Sequence, residues 1–195
     1  AFFFPAAHAD IAWEHGHRFL DKELQQVGRD AELWWRWADK LVQVTTRAGS
    51  EDWLLVHVEV QGLREARFAQ RMFSYHYRLF DRYARPVVSL AVLGEGRGET
   101  AGQFSYGRWG GETRFTFPVA CLNDYRDRLV ELAESTNPFA VVVHAHLQAQ
   151  ATAADATARY RGKLELVKSL YRRGWQRSDI LELFRVIDWM LRLPE

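Results

Sequence analysis

The chain has 195 residues, 48% of them hydrophobic and 26% charged, with a formal net charge of +1. This is a globular composition that predicts one domain with an appendage, and no apolar run is long enough to span a bilayer, which excludes a membrane-spanning helix. A net charge so near zero is no sign of nucleic-acid binding by itself, so any such argument must rest on local patches.

The one cysteine, Cys121, excludes an intrachain disulfide and fits a reducing cytoplasm. It lies in an apolar stretch and reads as core rather than nucleophile. The opening Phe2-Phe3-Phe4-Pro5 is too short for a signal peptide and lacks a basic lead. The chain does not begin with Met and stops after a helical stretch, so it is expected to be a piece of a longer protein.

Residues 1 to 12 are expected to be irregular, with Phe2 to Phe4 pinned on the core. A first helix is expected from about Glu14 to Val27, because Leu20, Leu24 and Val27 fall at helical spacing. Glu23 sits at the edge of that stripe, facing either water or the hairpin that follows. Leu33 to Trp37, three of them Trp, predicts a short strand whose rings pack in the core, against a partner subunit, or on bases.

Asp39 to Thr46 and Trp53 to Gln61 are strands by composition, joined by a polar connector that holds Gly49. Alternation puts Leu54, Val56, Val58 and Val60 on one face of the second strand and His57, Glu59 and Gln61 on the other. Folding about the turn's centre pairs Asp39 with Gln61 and Leu41 with Glu59, and gathers two carboxylates and a carboxamide at the hairpin's open end. Two carboxylates that close repel unless a cation lies between them, and an all-oxygen donor set suits Mg²⁺ or Mn²⁺. The alternative is that Asp39 and Glu59 are solvated strand-end residues in no contact.

Leu63 to Ala84 is the most helical stretch, with Phe68, Met72, Leu79 and Tyr83 as its apolar face, widened by Ala69, Phe73 and Phe80. Arg64, Arg67, Arg71, Arg78, Arg82 and Arg85 keep near one stripe, with Tyr75 filling the gap. Such a stripe suits either a phosphate backbone or a solvated helix face. Pro86 ends the helix, and Val87 to Leu93 predicts a strand buried on both faces. Strand, helix, strand implies a right-handed crossover to a parallel neighbour, and hence a mixed sheet.

Gly94 to Gly98 lacks the GxGxxG spacing and no helix follows, so it reads as a flexible loop. Thr113 to Leu122 predicts a strand with Phe115 and Phe117 on one face and Arg114 and Thr116 on the other. Asp124 to Ala133 predicts a helix, broken by Asn137-Pro138. Helices then follow at about 139 to 150, 155 to 173 and 179 to 192, the second closed by Gly174 and the third capped by Ser178. His144 and His146, two apart, fall on different sides of a helix and make poor joint metal ligands. Asp179, Glu182 and Asp188 on the last helix oppose phosphate, which favours packing or oligomerisation there, a homodimer included.

Several segments resemble a known family. They are Phe19 to Leu24, Ala38 to Val42, Leu55 to Gln61, Arg71 to Tyr75, Tyr77 to Tyr83, Pro86 to Leu90 and Ile187 to Glu195. With Asp39, Glu59-Val60-Gln61 and Glu23, they resemble the PD-(D/E)XK nuclease superfamily, and more closely the recombination-promoting nucleases grouped with transposases. The resemblance implies a restriction-endonuclease-like α/β core with a mixed central sheet flanked by helices, over residues 1–135. A C-terminal helical extension would cover 136–195. It implies a Mg²⁺-dependent DNA endonuclease linked to recombination or mobile-element activity, with Mn²⁺ as an alternative ion and DNA as partner. Asp39, Glu59 and the Val60 carbonyl would bind the metal, Gln61 would position the attacking water, and Glu23 would support the metal or a second ion. Arg64, Arg67 and Arg71 would contact phosphate. Ala38 stands where the superfamily name writes Pro, and Gln61 where it has Lys, so the positive charge of that Lys is missing. The alternative function is a catalytically weak DNA-binding or assembly module on the same fold. A glycosidase is disfavoured, since nothing predicts a sugar cleft.

Overall fold

A computed structural model describes residues 1–20, 40–48, 53–61 and 67–192, with 53–61 described by backbone alone. The chain is mixed α/β and divides into two units, Phe3–Cys121 and Leu122–Glu195.

The first unit opens with a short helix, α1 (Pro5–Asp10), started by its N-terminal proline, where an irregular segment was expected. The helix expected from Glu14 is absent at its start. Trp13–His15 is one 3-10 turn, Gly16 takes a φ of 76°, and His17–Phe19 is a strand, β1. The left-handed glycine stops helical propagation, and the apolar periodicity begins only at Leu20. The rest of that expected helix and the Leu33 to Trp37 strand lie outside the described residues.

Five further strands follow: β2 (Lys40–Thr45), β3 (Trp53–Gln61), β4 (Val87–Leu93), β5 (Ala101–Arg108) and β6 (Gly111–Cys121). They form one sheet in the order β1-β2-β3-β4-β6-β5. The first three run antiparallel in turn, β4 is parallel to β3, β6 is parallel to β4, and β5 closes the far edge antiparallel to β6. Helix α2 (Phe68–Tyr83) joins β3 to β4, so the expected strand, helix and parallel strand are present.

The β2–β3 register differs from the expected one. Leu41 pairs with His57 rather than Glu59, in a ladder that runs from Thr45 with Trp53 to Lys40 with Val58. The shift is two residues and not one, so odd positions still pair with odd positions.

One sheet face packs on α2. Met72 meets Ala91, Phe115, Phe117, Val119 and Cys121, while Tyr75 and Leu79 meet Leu41 and Leu20. The other face, through Val44 and Leu90, packs on Ile11 and Phe4. The predicted faces of β6 hold: Phe115 and Phe117 are buried, and Arg114 and Thr116 are exposed. Helix α2 stops at Ala84, in the left-handed region with a φ of 48°, two residues before Pro86.

The second unit is helical. A 3-10 stretch, Leu122–Arg128, leads into α3 (Leu129–Glu134), where one continuous helix was expected. Then come α4 (Pro138–Ala151), α5 (Ala156–Arg172) and α6 (Arg177–Met190), close to the expected spans. Asn137 caps α4 and Asp155 caps α5. Gly174 follows α5 with a φ of 72°, as expected. The residue before α6 is Gln176, not Ser178, which lies inside the helix with its hydroxyl on Asp179. Leu170, Ile187 and Leu191 are fully buried at the centre of this unit's core.

Candidate functional site

The parallel ladder fixes what lies level with the signature residues. Glu59, Val60 and Gln61 pair with Ala91, Val92 and Leu93, and these pair in turn with Val119, Ala120 and Cys121. Three parallel strands thus end in one row, Gln61, Leu93 and Cys121. In open α/β sheets, ligands bind outside the carboxyl ends of the strands. The last described β2–β3 pair is Lys40 with Val58, so among the described residues Glu59 to Gln61 pair on the β4 side alone.

Helix α2 begins at this edge. Phe68 and Leu93 pack against the same buried cluster, and the Phe68 ring lies 5.9 Å from that of Phe117. Arg67 is the exposed residue before the helix, and the Arg71 guanidinium lies 5.6 Å from the Phe68 ring centroid. Among the described residues, no acidic residue occupies the first turn, at the positive end of the helix dipole. Tyr75 does not fill the gap in an arginine stripe. Positions 72, 75 and 79 define the buried face, and Tyr75 turns inward with them. Phe80, expected on the apolar face, is 54% exposed.

Sequence reasoning passed over two carboxylates at the same edge. Glu95 and Glu99, both half-buried, lie in the loop after β4, and the Cys121 thiol donates to the Glu99 carbonyl at 3.6 Å. The signal was available in chain order, since a loop leaving a parallel strand opens on that edge. Beneath the sheet's α2 face, His76 Nδ1 meets the buried Ser89 hydroxyl at 3.3 Å, and burial holds the His76 pKa below its ordinary value.

Of the other predicted residues, Glu23, Asp39 and Arg64 lie outside the described residues. Among the described residues, no group of three or more His, Cys, Asp or Glu could hold a metal ion. Among them too, no helix is long and apolar enough to cross a membrane. Compared with family models, curated proteins and solved structures, the chain matches none.

Proposed function

We propose that the chain is a metal-dependent DNA endonuclease with a restriction-endonuclease-like core, acting in recombination or mobile-element movement. The observation that carries this reading is the level row of strand ends, with Glu59-Val60-Gln61 at the end of β3 and α2 starting beside it with Arg67 and Arg71. An antiparallel hairpin followed by a helix and a parallel strand is the core that the nuclease reading needs.

The donor set of two carboxylates and a backbone carbonyl, from Asp39, Glu59 and Val60, is hard oxygen throughout and suits Mg²⁺, with Mn²⁺ tolerated. Such an ion, when bound, makes hydroxide available and offsets charge on a pentacovalent phosphate. Gln61 orients the attacking water by hydrogen bonding but adds no positive charge. Glu23 adds a carboxylate to the set. Arg64, Arg67 and Arg71 hold strand phosphates. A second reading, a weakly catalytic DNA-binding or assembly module, is favoured by Gln61 in place of a lysine.

The test is cleavage of supercoiled plasmid with Mg²⁺, Mn²⁺ or EDTA, beside an Asp39→Ala protein of unchanged circular dichroism. Nicking should need the metal and fall below detection in the variant. Cleavage retained by Asp39→Ala would sink the site assignment. No cleavage by the intact protein with either metal would turn the choice to the binding module.

A further inference from the structure

The β5–β6 hairpin carries a feature that the nuclease reading does not use. Its ladder closes at Arg108 with Gly111, leaving Trp109-Gly110 as a two-residue turn with φ values of 53° and 86°. Two positive φ angles are those of a type I′ turn, which favours Asn or Asp before Gly. A tryptophan there is strained, and its indole is 95% exposed, so burial does not offset the strain. The Arg108 guanidinium lies 5.5 Å from the indole centroid, which orients the ring before any ligand arrives.

A file of rings runs along the strand that leads to this tip. Phe104, Tyr106 and Arg108 share one face of β5 by alternation. Phe73 of α2 stacks on Phe104 at 5.1 Å, lies 6.2 Å from Tyr106, and stacks on Tyr77 at 6.4 Å. Tyr77 and Tyr106 are both more than half exposed. Beside them an open concavity of about 480 Å³ is lined by Tyr106, Arg108 and Glu112 and by Gly107, Gly110 and Gly111.

We infer that Tyr77, Tyr106 and Trp109 form a stacking track for the bases of a single nucleic-acid strand, with Arg108 as the phosphate contact at its tip. Exposed rings with an adjacent guanidinium are what sequence-tolerant single-strand binding uses. A bilayer is a poor occupant, because residues 101–114 contain no Leu, Ile or Val and carry the exposed Glu112–Arg114 ion pair. The identity of the ligand rests on the nucleic-acid reading above, but the track shares no residue with the proposed metal set.

The experiment is fluorescence anisotropy of a labelled oligothymidine in EDTA, with the intact protein and with Trp109→Ala, Trp109→Phe and Tyr106→Ala. Trp109→Ala should weaken binding by about 5- to 100-fold, as loss of one stacked base implies, and Trp109→Phe should restore most of it. Equal affinity across the series overturns the track, as does failure of the intact protein to bind the oligonucleotide, or binding to phosphatidylserine vesicles in its place. Oligonucleotide binding that Trp109→Ala weakens, in a protein that cleaves no plasmid, keeps the track and removes the nuclease. Plasmid cleavage with unchanged Trp109→Ala binding does the reverse.

Discussion

The two units bury their residues by different means. In the helical unit the core is aliphatic and comes from three helices, two of them with a local start: the Asn137 side chain accepts from the Phe139 N–H two residues on, and Asp155 from the Ala158 N–H three residues on. In the sheet unit the buried rings join segments far apart in the chain. Phe117 of β6 packs on Phe68 of α2 and lies over Gly102 of β5. The helical unit is therefore specified mostly by neighbours, and the sheet unit by partners that meet only once the chain has folded.

The largest test of that contrast is Phe117→Ala. Removing a ring that is 2% exposed should cost about 3–5 kcal/mol, read from urea denaturation. Amide exchange should rise in β5 and α2 as well as in β6, and a rise confined to β6 would break the comparison. Asp155→Ala is the local counterpart. Loss of its bond to the Ala158 N–H should cost about 1 kcal/mol, with faster exchange limited to the first turn of α5. Loss of protection throughout the helical unit would contradict the neighbour-based account.

The smallest test is of pH. Burial depresses the pKa of His76 in the sheet unit and, with Arg173 as a lesser cause, of His144 in the helical unit. A depressed histidine pKa means that the unfolded chain takes up the proton first. Stability is then unaffected well above 6.5, falls as pH drops through 6.5, and levels off below the folded value. His76→Gln should flatten part of that acid-side loss, measured as urea midpoints on either side of 6.5. An unchanged slope would show that the His76 imidazole is as well solvated in the folded unit as in the unfolded chain.

Helices α4, α5 and α6 were legible within two residues, because 3.6-residue periodicity and the break at Asn137-Pro138 are local signals, whereas the start of α3 was not. Strand β4 was legible in full from its apolar run after Pro86. Strand β5 was not. Its eight residues include Gly102 and Gly107, carry no β-branched side chain, and become a strand only through β6. The β2–β3 offset was hidden because side-chain alternation fixes the parity of a register and not its offset. For the site, the alignment of Glu59 to Gln61 with the ends of two further strands follows from sheet order, which no local pattern encodes.

The seat that Gly102 offers to Phe117 also bears on how the hairpin finds its alignment. A β-carbon at Gly102 would lie 2.3 Å from the ring, so only a residue without one can sit there. A pairing two residues out of step keeps the correct face but sets Phe117 against Thr100 or Phe104, and so takes the ring off its glycine seat. Misaligned pairings therefore forgo this close approach, which the correct one alone makes. One missing side chain serves as an error-correcting key for the whole edge of the sheet.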